Sequence, residues 1–402
     1  MILLEALLAL ILGIVSGIVT GITPGIHVNL VSVLVLSFSP LLLTITSPLV
    51  LAIYIISLAI THTFLDTLPS IYLGAPDEAQ ALNVLPGHRL LNKGEGHNAV
   101  IYTVLGSLGS LLLSIVLFPL FIVSMAKLAP VVNDWIGYGL IGIMGYMILK
   151  EKNKKMNSLL AFLLAGCLGL LVFSIPNLHQ PLFPLLSGLF GFSILLMSML
   201  QKSKIPIQSL KKPLRISRIN MAKSISAASG VGFIAAFLPG FGSSQAAIIA
   251  TNIVGDIGDE GFLTLVGGIN TANMLISIAT AYTLDKARNG AIVTVNELLG
   301  TVTFTDMMIF IGVAFIAGGI ATMLTLYLSR IFAKLIVKVN YYYLVWSIIG
   351  FITMLTFYFD GFIGLLILLT ATAIGITVSF LGVGKNHLMG CLVLPVILYF
   401  VL

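Results

Sequence analysis

The sequence predicts an all-α polytopic membrane protein, with about ten transmembrane helices plus two re-entrant helical hairpins in two inverted-topology repeats. Three observations predict it. Of 402 residues, 58% are apolar and only 8% are charged, and the apolar residues fall in one long run after another. Each half carries a Pro-Gly break between apolar segments, Thr23-Pro24-Gly25 and Leu238-Pro239-Gly240. Inside hydrocarbon such a break strands backbone N–H and C=O groups, so it is tolerated only where protein or a wet cavity surrounds it. The third observation is where the basic residues fall. If each broken segment returns to the side it came from, Lys127, Lys286 and Arg288 alone lie outside, leaving seventeen of twenty Lys and Arg inside. If each segment crosses instead, fifteen lie inside, so the hairpin arrangement is preferred. It places the N-terminus outside and gives the two halves opposite orientation.

The elements follow in order. Residues 3–21 form an apolar helix with Gly13, Gly17 and Gly21 at four-residue spacing, which lets another backbone approach and places the helix inside the bundle. After Pro24-Gly25 a second run covers 26–43. Residues 48–65 span next and end in His62 and Asp66, four apart on one helical face. Residues 68–97, rich in Pro, Gly and charge, read as a long functional loop. Spans at 99–125, 131–149, 157–173 and 182–200 follow, the last two bracketed by basic clusters at Lys150–Lys155 and Lys202–Lys223. The second half runs from 225 to the Pro239-Gly240 break, resumes over 243–254, and passes an acidic turn into the span 262–284. A span at 304–328 and an amphipathic basic segment follow, then spans at 341–358, 362–380 and 387–402. The organisation expected is a first repeat over 1–150, linking helices and a basic cytoplasmic loop over 151–221, a second repeat over 222–340, and C-terminal helices over 341–402. Cys167 and Cys391 lack metal-type spacing and read as small core residues.

The motifs resemble a known family. Leu-Pro-Gly-Phe-Gly at 238–242, Thr-Pro-Gly-Ile at 23–26, and the run from Leu73 through Gly-Ala-Pro-Asp-Glu-Ala to Lys93-Gly94 are similar to the large membrane subunit of tripartite tricarboxylate transporters. The stretch from Asn252 to Asn273 is similar to that family's second-half stretch. The resemblance covers most of residues 1–330. It implies a permease for organic anions, working with a small membrane subunit and a solute-binding protein, although short relatives also stand alone.

The residues themselves point to an anion. Amide groups after each Pro-Gly carry partial positive charge suited to carboxylate or phosphate. The substrate-binding candidates are Pro24, Gly25, His27 and Asn29 in the first half, and Pro239, Gly240, Gly242, Ser243, Ser244 and Gln245 in the second, with Asn270 and Asn273 beside them. Helix capping is the competing role for the serines. His62 and Asp66 are the ion-coupling candidates, for Na⁺ or H⁺, against a reading in which Asp66 caps its span at the interface. Asp306 is a weaker candidate, and His179 and His387 read as solvated or interfacial. With no phosphate-binding Gly-Lys-Ser, nucleophile elbow or metal-spaced cluster, neither an enzyme nor a cofactor protein is expected. The net charge of +6 lies in loops between spans and predicts membrane lipid rather than nucleic acid as its partner. Glycine-rich faces are compatible with a homodimer. The reading is a cell-membrane secondary transporter moving a small di- or tricarboxylate by alternating access. The alternatives are a translocase of a lipid-linked phosphate such as polyprenyl phosphate, and an intramembrane enzyme, which would need a third convergent group.

Overall fold

A computed structural model describes residues 2–24, 28–75, 78–151, 153–176, 178–200, 206–237, 242–284, 289–338 and 341–402. The described residues are mostly helical, without strands. Helix α1 (Ile2–Ile22) is followed by α2 (Val28–Ser37), the short α3 (Ser39–Leu42) and α4 (Pro48–Leu65), which continues through a π-helical turn at Pro69–Leu73. Among the described residues seven helices are long and apolar enough to cross a membrane, and shorter apolar helices accompany them.

The glycines of α1 act as read, but on one face only. A Cβ at Gly17 would lie 2.6 Å from that of Thr61, and one at Gly21 would lie 2.6 Å from that of Leu65. The opposite face, with Leu4, Leu8, Ile11 and Val15, is exposed, so α1 sits at the edge of the bundle rather than inside it.

The stretch 68–97 is not a loop. After the π turn come a 3₁₀ segment (Glu78–Asn83) and α5 (Val84–Asn92), and most of their side chains are buried. The turns expected from Pro and Gly are absorbed into short helices because the surrounding elements bury this segment. Helix α6 (Gly96–Val116) then stops at Leu117, and α7 (Phe118–Lys150) follows as one run. The expected boundary near 126–130 is thus displaced to 117, where Pro119, without an N–H, starts the new helix.

Beyond α8 (Lys155–Ser174), the chain forms α9 (Leu182–Leu186), a π-helical turn at Ser187–Phe192 and α10 (Ser193–Leu200). Residues 206–215 are then strapped to the corner between α5 and α6. The Gln208 side chain accepts from the Gly96 N–H at 2.8 Å and donates to the Leu91 carbonyl at 3.0 Å. Buried Glu95 pairs with Lys212 at 3.0 Å and with Arg215 at 3.5 Å. Part of the basic linker is therefore committed to an internal carboxylate.

Helices α11 (Arg218–Phe237), α12 (Ser243–Val254) and α13 (Gly258–Leu284) follow. As α1 lies on α4, α11 lies on α13: Ser224 donates to the Gly261 carbonyl at 3.0 Å, and a Cβ at Gly232 would lie 2.9 Å from that of Ala272. Since α11 and α13 run in parallel, α12 between them returns toward the starting side. Arg89 of α5, downstream of α4, meets Asp259 at the start of α13 at 2.7 Å. Helix α4 ends against the middle of α13, where Thr63 meets Thr271 and Asp66 meets Asn270, and that order of contacts runs the two helices in opposite directions.

The chain closes with α14 (Gly290–Leu299), α15 (Phe304–Lys338), α16 (Tyr341–Leu381), a 3₁₀ turn (Lys385–Met389) and α17 (Gly390–Val401). Helix α16 breaks at Gly361, with φ 60° and ψ −147°, between the two spans expected there. His387 is fully buried and meets Glu151 at 3.3 Å, so it is not solvated or interfacial as read from sequence: the 3₁₀ turn tucks it under the end of α7. Of the two cysteines, Cys391 is buried as expected, whereas Cys167 is exposed on α8.

Two glycines predict different outcomes. A Cβ at Gly106 would run into the Thr264 carbonyl where α6 crosses α13, whereas one at Gly361 meets nothing within 4 Å. Gly361→Ala is expected to cost only the backbone strain of a conformation that glycine alone adopts readily, about 1–3 kcal/mol. Gly106→Leu is expected to abolish monodisperse protein in size-exclusion chromatography, and equal tolerance of the two would contradict this packing.

Candidate functional site

The polar centre of the molecule starts from Asp66. The C-terminal end of α4 is wholly buried, and Asp66 is 2% exposed. A carboxylate there needs donors, because an ion in low dielectric without them costs several kcal/mol. Among the described residues, amides of two side chains reach it. Gln80 Nε2 donates to Oδ1 at 2.9 Å, and Asn270 Nδ2 of α13 donates to Oδ2 at 2.7 Å. Asn83 in turn donates to the Gln80 side chain, which orients it. Asp66 is therefore not a cap at the interface. Asn270 lies about 18 Å along α13 from Gly258, near the middle of that helix, at a rise of about 1.5 Å per residue.

The helices bring further groups to the same level. One turn before Asp66, His62 Nδ1 lies 3.1 Å from Thr20 Oγ1 of α1. The neighbouring Thr63 hydroxyl lies 3.1 Å from that of Thr271, another contact from α4 to α13. One turn beyond Asn270, Asn273 Nδ2 reaches Ser243 Oγ of α12 at 3.4 Å. Gly21, just before the first break, packs against the Asp66 backbone, and a Cβ there would lie 3.3 Å from its N. The order is thus end of α1, Asp66, Asn270, Asn273, start of α12, with hydrogen bonds linking Asp66 to Asn270 and Asn273 to Ser243.

Of the residues singled out in the sequence, Pro24 forms the turn that ends α1, and Gly25 and His27 lie outside the described residues. Asn29 is on the first turn of α2 and packs against Gly290, where a Cβ would lie 2.7 Å from Asn29 Cγ. Its neighbour is therefore the start of α14. Pro239 and Gly240 lie outside the described residues, and Gly242 is the N-cap of α12, with φ −85° and ψ 179°. A glycine has no side chain to cap with, so Gly242 supplies no side-chain cap to the first turn of α12. Ser243 and Ser244 are buried in that turn, and Gln245 follows them in α12. Asp306 accepts from the Thr303 N–H and hydroxyl, which makes it a helix-capping residue of α15. The His179 N–H donates to Asp360 at 2.7 Å, in a loop anchor.

Gln80, Thr20, Thr63 and Thr271 were not singled out. Gln80 carried a signal, a lone amide within Ala79-Gln80-Ala81-Leu82. The threonines carried none, since a hydroxyl on an apolar helix ordinarily bonds its own backbone. Among the described residues no group of three or more His, Cys, Asp or Glu is placed to hold a metal.

Fold and centre together define a multi-pass helical membrane protein whose buried polar core joins α4 and α13. The chain belongs to the tripartite tricarboxylate transporter TctA family, whose family model matches residues 7–390. It is also similar to an uncharacterized protein of Methanocaldococcus jannaschii, with 29% identity over 356 residues, covering 86% of this chain and 88% of the relative. No solved structure matches it.

Asp66→Ala leaves the Gln80 and Asn270 amides without this acceptor, at about 1–3 kcal/mol each. Its thermal midpoint in detergent is expected to fall sharply, whereas Asp66→Asn, which keeps one acceptor oxygen, is expected to fall less. Equal midpoints for Asp66→Ala and wild type would contradict the hydrogen-bond assignment.

Proposed function

We propose that this protein is an ion-coupled secondary transporter that carries a small organic anion, of the di- or tricarboxylate class, across the cell membrane by alternating access. The observation that carries the reading is the Asp66–Asn270 bond at mid-height of the bundle, made between helices that run in opposite directions. Oppositely directed halves meeting at broken helices are the arrangement an alternating-access carrier uses. The family match supports the transport class and, through its printed description, tricarboxylates as substrate.

In this reading the substrate carboxylates sit between the two breaks. The first-turn N–H groups and hydroxyls of Ser243 and Ser244, with Gln245, Gly242 and the Pro239-Gly240 break, meet them from one side. Pro24, Gly25, His27 and Asn29 approach from the other. Asn270 and Asn273 orient this shell, and Asp66 with His62 couples it to Na⁺ or H⁺. The basic end of the bundle, with Arg89, Lys150, Lys212 and Lys385, faces the cytoplasm, and the N-terminus lies outside. The word tripartite in the family description supports a small membrane subunit and a solute-binding protein as partners, and a homodimer is compatible with the glycine-rich faces.

The test is uptake of radiolabelled citrate and succinate into proteoliposomes, with a Na⁺ or pH gradient imposed separately. One gradient is expected to drive uptake. Ser243→Ala is expected to raise KM about tenfold, by loss of a charge-assisted hydrogen bond worth about 1.4 kcal/mol. Asp66→Asn is expected to uncouple uptake from the gradient. Uptake indifferent to both variants, or absent under either gradient, would overturn the reading.

A further inference from the structure

A second polar feature lies away from the centre. A cleft of about 510 Å³ opens where α5, the corner between α12 and α13, the end of α7 and the 3₁₀ turn before α17 converge. Its charged lining is Arg89, Lys150, Lys385, Asp256 and Asp259. The two carboxylates are already engaged. Asp259 holds Arg89 at 2.7 Å, and Asp256 Oδ1 accepts the Gly258 N–H at 3.1 Å. Lys150 lies over the Tyr146 ring at 5.7 Å. Lys385 is different. It is half-buried, its Nζ donates to Ser193 Oγ at 2.6 Å, and among the described residues no carboxylate lies within ion-pair distance of it.

An ammonium withdrawn from water and matched only by a hydroxyl is costly unless an anion completes it. The cleft beside it is large enough for a molecule of citrate size. Its position also bears on transport. Asn252, near the C-terminal end of α12, lines the cleft, while Ser243 at the other end of that helix belongs to the centre. Nine residues of helix separate them, about 14 Å at about 1.5 Å per residue.

We infer that this cleft is a second binding site, for a small polycarboxylate, in which the Lys385 ammonium is the principal anion contact and Lys150 a peripheral one. The site takes the substrate class of the proposed transport reading and rests on it. The anion docks there on its way between the basic end of the bundle and the centre. The Arg89–Asp259 pair ties α5 to α13 across the cleft and withholds Asp259 from repelling the ligand.

The test is acetylation of lysines on the purified full-length protein, with labelling at each residue read by mass spectrometry with and without citrate. Labelling rate follows the unoccupied fraction, so at saturating citrate Lys385 is expected to slow about tenfold or more. Lys334, away from the cleft, is expected to be unchanged. The same protection is expected in Ser243→Ala, because the two sites are separate. Lys385→Arg is expected to keep the weaker phase of citrate binding in calorimetry and Lys385→Met to lose it. Protection that disappears in Ser243→Ala would reduce the effect to central binding and overturn the second site. Protection by phosphatidylglycerol nanodiscs but not by citrate would do so as well. If proteoliposome uptake fails while Lys385 is still protected by citrate, the transport reading falls and the cleft stands.

Discussion

A carboxylate buried to 2% exposure at half the height of a membrane-crossing bundle constrains everything around it. Burial takes Asp66 out of contact with bulk solvent, so amide donors have to be brought to it and held. One of them, Gln80, comes from the buried segment that follows α4. The other, Asn270, comes from α13. The first requirement explains why the chain after α4 folds into short buried helices rather than a solvated loop. The second explains why α13 must cross close to α4 and α6. Close crossing demands small residues, and Gly106, Gly267 and Gly268 lie at that crossing. The centre and the packing are therefore one design, in which glycines let backbones approach and the approach completes the polar cluster.

Charge is distributed with the same economy. Glu95, 4% exposed at its side chain, draws Lys212 and Arg215 of the linker onto the α5–α6 corner. Arg89 reaches Asp259, and Lys154 donates to the Gly382 carbonyl at 2.7 Å. These contacts lie toward one end of the bundle and join segments far apart in sequence. Exposed ion pairs contribute little individually. Those anchored on a buried carboxylate count for more, because removing the cation leaves the acid uncompensated.

Much of this was legible in the sequence, and what was missed has physical reasons. Hydropathy located most helices because a membrane-spanning helix must be apolar over its whole length. That His62 and Asp66 follow each other by one turn of α4 was readable from a spacing of four. Asn270 and Asn273 stood out as amides in an otherwise apolar run. Gln80 was not picked, because its partner is fourteen residues away across a π turn and a 3₁₀ segment that impose no single period on the sequence. His387 was placed at an interface because nothing local says that a 3₁₀ turn will bury it beside Glu151. The α6–α7 boundary was misplaced, although Pro119 marked it. In α1 the glycine spacing fixed the face that packs, and the leucines of the other face could equally have been core or lipid-facing.

The central claim is that the two sets of helices meet through α4 and α13 at mid-bilayer. The contact is tested most directly with a Thr63→Cys, Thr271→Cys pair in a chain lacking Cys167 and Cys391, since the two hydroxyls are 3.1 Å apart. Mild oxidation of native membranes should produce an intramolecular disulfide, seen as a mobility shift that reductant reverses and that neither single cysteine gives. No crosslink, or only dimers formed between chains, would mean that α4 and α13 do not meet there and that the shared centre is wrong.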